Sequence, residues 1–265
     1  MSKKTKVITL INYKGGVGKT LLSINIASYL SNKNKVLFID ADKQANATAL
    51  LFNKYFDDNN ILDIFEDKGF KTVKLYDNTG FNKADIKELY FIPGSLGLGD
   101  KRSLIENKSD AVNILKNQLA ETIKEFDYVI IDAPPDIDII VKNALAMSDY
   151  YIIPFKPAPQ EYLGMTYLLD TLKTLRKEGI KAEFLGVIIN MFISEHTQTT
   201  ATYIRQLMEM FPKQDKIFDT VIHRSQEYEN ALMHGLPIDL DPKASKKYKD
   251  AFVSLTAEII KKSNQ

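Results

Sequence analysis

Along most of this chain, short runs of β-branched and apolar residues alternate with longer segments whose apolar positions recur every three or four residues. The runs at 6–12, 36–40, 90–93, 128–132, 150–154, 184–190 and 220–223 are nearly unbroken apolar stretches, as expected of strands covered on both faces. Between them the spacing predicts helices over 20–31, 110–125, 141–147, 164–177, 197–211 and 242–262. This alternation predicts an α/β fold, a doubly wound, mostly parallel sheet flanked by helices. Residues 53–88, rich in Asp, Asn, Lys and Gly, interrupt the rhythm and read as an elaboration on the sheet. With no repeat and no low-complexity linker, residues 1–265 are expected to form a single domain.

Composition narrows the chemistry. At 45% hydrophobic and 26% charged, the chain can bury a sizeable core. It has no cysteine, which excludes disulfides, thiolate zinc sites and cysteine-held iron–sulfur clusters. The 35 Lys and Arg nearly balance the 34 Asp and Glu, so any polyanion must be bound by a local patch and not by bulk charge. The first apolar run is too short for a signal-peptide core, and no later one approaches the length of a membrane span. A soluble, cytoplasmic protein is the expectation.

The first run ends in Asn12-Tyr13-Lys14-Gly15-Gly16-Val17-Gly18-Lys19-Thr20, just where a helix is predicted to begin. Three glycines let the main chain fold tightly with its N–H groups turned inward, and the helix N-terminus adds to that positive cradle. The pattern is that of a phosphate-binding loop for ATP, with Leu21 continuing it into the helix. Lys19 is expected to reach the β- and γ-phosphates, and the Thr20 hydroxyl to ligate Mg²⁺. The standard motif wants a glycine where Tyr13 stands. Lys14, at the loop entrance, is either a solvated lysine or a second cation for the phosphates.

Ligands of doubly wound sheets sit at the carboxyl ends of the strands, so aspartates there bear on the loop. Asp132 follows the apolar run Tyr128-Val-Ile-Ile, the Walker B arrangement, and is expected to hold Mg²⁺ through water. Asp40 and Asp42 close the second run; Asp42 is expected to orient the attacking water, a task of positioning more than basicity. Asp40 has two open readings, metal ligand or turn or helix-cap residue. Each aspartate alone would read as a turn or cap; the loop on a neighbouring strand changes that.

Together these residues resemble the deviant Walker A ATPases of the ParA/Soj/MinD group, and the match runs over almost the whole chain. Lys14 is the signature lysine of that loop. Asp40-Ala-Asp42-Lys-Gln44-Ala-Asn46-Ala-Thr48 is similar to its switch I, with Lys43 and Ala45 in place of the usual Pro and Gly, and Asp132-Ala-Pro-Pro135 to its switch II. The resemblance implies an ATP-dependent homodimer in which each Lys14 reaches the partner's phosphates, with Lys14, Lys19 and Asp42 serving catalysis. It places Asn190 where the adenine is hydrogen-bonded; the other reading of Asn190 is a strand-ending turn residue.

Within the group, the reductases need cysteines that this chain lacks. The short ParA-type partition ATPases fit best. The loop starts at residue 14, with no room before it for a helix-turn-helix. The resemblance then implies non-specific DNA binding by the ATP dimer, nucleoid association, and a ParB-like centromere-binding partner that stimulates hydrolysis. Candidate DNA contacts are Arg205, Lys213, Lys216, Arg224, Lys243, Lys246 and Lys247, interleaved with acids, and Glu227 stands where relatives often carry arginine. The alternative is a MinD-like membrane-associated ATPase. Tyr248, Phe252, Leu255 and Ile259 form a helical stripe that could meet lipid, but without a dense basic face core packing is the expectation, and no stable membrane association.

Overall fold

The structure, a computed structural model, describes residues 4–75, 87–193, 197–212 and 215–265. In chain order the elements are β1 (Lys6–Leu10), α1 (Lys19–Leu30), β2 (Val36–Asp40), α2 (Asn46–Phe52), α3 (Ile61–Phe65), β3 (Val73–Lys74) and β4 (Leu89–Ile92). There follow α4 (Arg102–Glu106), α5 (Ile114–Gln118), β5 (Tyr128–Asp132), α6 (Ile139–Met147), β6 (Tyr150–Phe155) and α7 (Pro159–Lys177). The last are β7 (Glu183–Ile189), α8 (Thr197–Met210), α9 (Gln226–Met233) and α10 (Lys246–Lys262).

The seven strands lie in the order β3-β4-β2-β5-β1-β6-β7. All pair in parallel except the two-residue β3, which runs antiparallel along the β4 edge. Helices cover both faces. On one side α1, α2, α9 and α10 bury residues such as Leu22, Phe38, Phe91 and Phe252. On the other, α3, α5, α6 and α7 bury Leu37, Phe65, Ile131 and Leu168. Leu10 and Asp40 are both in register with Asp132, so β1, β5 and β2 end level. That alignment sets the loop after β1 beside the aspartates that end β2 and β5.

Three expectations are corrected, two of them by a side chain arriving from elsewhere. The run 220–223 is not a strand: Ile217 and His223 make only isolated parallel bridges, to Val187 and Phe192. Glu258 of α10 accepts the main-chain N–H groups of Asp219 and Thr220 at 2.8 and 2.9 Å, which draws the segment off the ladder. The helix expected over 110–125 is broken into two 3₁₀ turns with α5 between them. Asn143 of α6 donates to Ala111 O at 2.6 Å and accepts from Leu115 N at 3.1 Å, taking groups that a continuous helix would need. The last helix starts at Lys246 and not at residue 242, behind a Ser245 N-cap.

The stripe of α10 meets the protein's own core. Phe252, Leu255 and Ile259 are fully buried, and Phe252 stacks on Tyr29 of α1 with ring centroids 5.9 Å apart. Truncating such a ring costs about 3–5 kcal/mol. Among the described residues no helix is long and apolar enough to cross a membrane.

Candidate functional site at the strand ends

The loop between β1 and α1 is held open by its own neighbours. Asn12 donates to Pro154 O at 2.7 Å, fastening the end of β1 to β6, and its Oδ1 accepts from Lys14 N at 3.0 Å. Gly18, the N-cap of α1, sits at φ 82°, in the left-handed region. A Cβ there would collide with Asn190 Nδ2 and stand 3.2 Å from Met191 Cε, so glycine is required twice over. Asn190, buried at the end of β7, donates from Nδ2 to Val17 O at 2.7 Å. It therefore braces the loop directly, a contact that neither reading of Asn190 contained.

Lys19 is buried, and its Nζ donates to Asn12 O and Lys14 O, both at 3.2 Å. Burial pushes the ammonium's pKa down, while the charges of Asp132 and Asp42 oppose that shift. An ammonium satisfied only by two carbonyls has a strong interaction left to gain from an anion. The loop, with Gly16, Lys19 and Thr20, forms one wall of a cleft of about 720 Å³, which Asp42, Pro135 and Met191 also line. Gly15, Gly18 and the half-buried Leu21 border the same cleft.

Asp132 ends β5 and is buried. Its Oδ1 accepts from Ser23 Oγ at 3.2 Å, whereas Oδ2 is buried without a hydrogen-bond partner. Burial raises its pKa to about 6, against the pull of the Thr20 hydroxyl, Lys19 and Ser23. A buried carboxylate oxygen left unpaired beside a threonine hydroxyl fits a hard cation. Among the described residues no group of three or more His, Cys, Asp or Glu could hold a metal. One such carboxylate beside a hydroxyl suits Mg²⁺, which takes one or two protein ligands and fills its shell with water and phosphate oxygens.

The two aspartates after β2 diverge in environment. Asp40 is fully buried; Oδ2 accepts from Thr48 N at 2.8 Å and Thr48 Oγ1 at 2.7 Å, and Oδ1 from Asp42 N at 3.3 Å. Thr48 Oγ1 in turn accepts from Gly94 N at 2.7 Å. Both oxygens of Asp40 are thus occupied by its own loop and the first turn of α2. Burial, reinforced by Asp132, raises its pKa to about 7. Asp42, by contrast, borders the cleft, and its Oδ1 accepts from Gln44 N at 2.9 Å. Ala45 stands at φ 49°, so this loop keeps a left-handed turn where the resembling pattern has glycine. Lys43 pairs with Asp136 at 2.7 Å, linking the loop after β2 to the one after β5.

The cations proposed from sequence for DNA are scattered more widely. Arg224 precedes α9, and Lys246 and Lys247 open α10; all three are exposed. Glu227 accepts from Ser245 N at 2.6 Å and Ser245 Oγ at 3.1 Å, tying the starts of α9 and α10 together. Its acid thus does structural work at the position where an arginine was looked for. Lys243 is exposed beside this corner, and Lys246 pairs with Asp250 at 3.7 Å. Lys216 donates to Phe184 O at 3.0 Å, and Arg205 is exposed on α8. Lys213 lies outside the described residues. Ser23, Asn12 and Glu161 of α7 bear on the site without a role having been read for them from sequence; proximity in the fold reveals them.

Comparison with known proteins agrees with this geometry. The family model described as an AAA domain matches residues 5–185. The chromosome-partitioning ATPase Soj of Treponema pallidum is 30% identical over 234 residues, 88% of this chain and 88% of that protein. The sporulation initiation inhibitor protein Soj of Bacillus subtilis is 31% identical over 255 residues, covering 90% of this chain and 92% of its own. Among solved structures, a plasmid partition protein from Borrelia burgdorferi bound to AMPPNP superimposes with a TM-score of 0.79 at 27% identity, over 98% of this chain and 100% of its own.

Proposed function

We propose that this chain, which belongs to the ParA/Soj family of P-loop ATPases, works as a partition ATPase that positions DNA cargo by an ATP-gated switch. The observation that carries the reading is Lys19, which lines the cleft and donates only to two carbonyls, together with the buried, unpartnered Oδ2 of Asp132, whose other oxygen accepts from Ser23 of the same helix as Lys19. In this reading the amides of Gly15, Gly16, Val17 and Gly18 and the Lys19 ammonium hold the phosphates of ATP. Thr20 and Asp132 would hold Mg²⁺, which would supply positive charge against the phosphates. Asp42 orients the attacking water from the cleft wall and steadies its developing charge. Asn190 braces the loop through Val17 and leaves its Oδ1 as an acceptor for the amino group of the base.

ATP then brings two chains face to face, with each Lys14 reaching the partner's phosphates. The dimer binds duplex DNA without sequence preference through the corner formed by Arg224, Lys243, Lys246 and Lys247, and a ParB-like partner accelerates hydrolysis. Support for the DNA arm comes from the exposure of these cations about the tied starts of α9 and α10, and from the names of the relatives, one chromosome-partitioning and one plasmid-partitioning. Phosphate contacts of this kind weaken steeply with salt. The test uses Asp42→Ala to hold the ATP form: duplex binding should require ATP and fall as salt rises. Binding that ignores nucleotide, or none at low salt, would sink the DNA arm.

A further inference from the structure

The inward stripe of α7 is apolar for most of its length: Met165, Leu168, Leu172 and Leu175 are all buried. One turn before Met165 the same stripe holds a carboxylate, Glu161, which is only 9% exposed. An acid in the first turn of a helix ordinarily faces the free N–H groups or water. Glu161 Oε2 is buried and meets no hydrogen-bond partner. Three cations surround it, Lys14, Lys156 and Lys19, and their charges oppose the burial that raises its pKa.

The first half of α7 also grips the loop entrance. Tyr13 packs on Tyr167 with ring centroids 4.8 Å apart, and its hydroxyl lies 3.2 Å from Thr171 Oγ1. The aliphatic chain of Lys14 runs along Gly164, where a Cβ would stand 3.5 Å from Lys14 Cε and 3.7 Å from Cγ. Gly164 is three residues beyond Glu161, on the same helix face. The main-chain groups of Lys14 are committed, N–H to Asn12 and carbonyl to Lys19. The ammonium is the part left to move.

We propose that Glu161 is a positioning residue for Lys14, its unpaired buried charge drawing the ammonium toward α7 until a polyphosphate competes for it. The proposal rests on reading Lys14 as a cation for nucleotide phosphates. A buried acceptor without a donor is costly, and an approaching ammonium relieves that cost. Phosphates compete for the same cation, so Glu161 restrains Lys14 and sets how much negative charge a ligand must bring.

The test is a double-mutant cycle on Glu161→Gln and Lys14→Met, titrating Mg–AMPPNP by calorimetry and following self-association by light scattering. Glu161→Gln alone should tighten Mg–AMPPNP roughly three- to tenfold, as expected for removing one nearby negative charge at intermediate dielectric. In the Lys14→Met background the same change should have less than half that effect on a logarithmic scale. Glu161→Asp, which keeps the charge, should stay within about twofold of the parent. If Gln at 161 impairs folding, Glu161→Met continues the stripe and removes the charge equally. An effect of equal size in both backgrounds, or none in either, overturns the role through Lys14. If Lys14→Met alone binds nucleotide and self-associates like the parent, the reading of Lys14 itself fails, and this proposal with it.

Discussion

Two regions of this molecule gather charge, and they are built in opposite ways. At the strand ends, Lys19, Asp40, Asp42 and Asp132 are buried and, apart from one oxygen of Asp132, their main bonds go to named main-chain or hydroxyl groups. At the corner where α9 and α10 begin, Arg224, Lys243, Lys246 and Lys247 stand in solvent, with Glu227 and Asp250 among them. A buried charge has few ways to replace a lost partner, so one substitution there has a large effect. Exposed charges are screened and replaceable, so they act as a sum.

The largest effect that would sharpen this contrast is on turnover. Asp42→Ala should lower kcat for ATP hydrolysis by about 100-fold or more while Mg–ATP affinity stays within about threefold. A loss of affinity as large as the loss of turnover would make Asp42 a binding residue instead. Next come two main-chain changes of opposite sign. Gly18→Ala should weaken Mg–ATP binding roughly tenfold or more, because φ 82° and the Asn190 amide both exclude a side chain. Ala45→Gly should stabilise the protein by about 0.5–1 kcal/mol in urea unfolding, since it relieves a left-handed turn at φ 49°.

A pH series separates the two regions further. Asp40 and Asp132 have folded-state pKa values raised to about 7 and about 6. The nucleotide-free fold therefore binds more protons than the unfolded chain between about pH 4 and 7. Their contribution is fully present below the unfolded carboxylate pKa and is lost as pH rises through 6 and 7. Urea unfolding should show stability from these two groups falling over that range, and Asp40→Asn should flatten the fall. Stability that climbs across the same interval in the parent but not in Asp40→Asn would contradict the assignment. Substitutions at the exposed corner should be the mildest. Arg224→Ala, Lys246→Ala and Lys247→Ala should each weaken duplex binding only a few-fold, and each should lower the salt slope by about one. One of them abolishing binding alone would mean that the corner is a specific pocket and not a diffuse surface.

What the sequence discloses and what it hides follow the same division between local and distant causes. The apolar runs of β1, β2 and β5, the glycines of the loop and Asp132 are local patterns, and the structure sets them side by side because the strands end in register. The contact of Asn190 with Val17, and the burial of Glu161 near Lys14, depend on which strand ends become neighbours, which no single window contains. The lost strand at 220–223 and the broken helix at 110–125 have the same origin: Glu258 and Asn143 reach in from remote helices. The spacing of the α10 stripe suits lipid and core alike; the missing basic face points to core, and the burial of Phe252 against Tyr29 agrees. Lys216 looked like a free cation and is tied to the Phe184 carbonyl.

Calorimetric titration of Mg–AMPPNP into the parent protein and into Lys19→Ala, side by side, addresses the loop most directly. One site per chain in the parent, with affinity weakened by about 100-fold or more in Lys19→Ala, is the expected result. No heat with the parent, or equal affinity in both proteins, would contradict the placement of the triphosphate on residues 14–20.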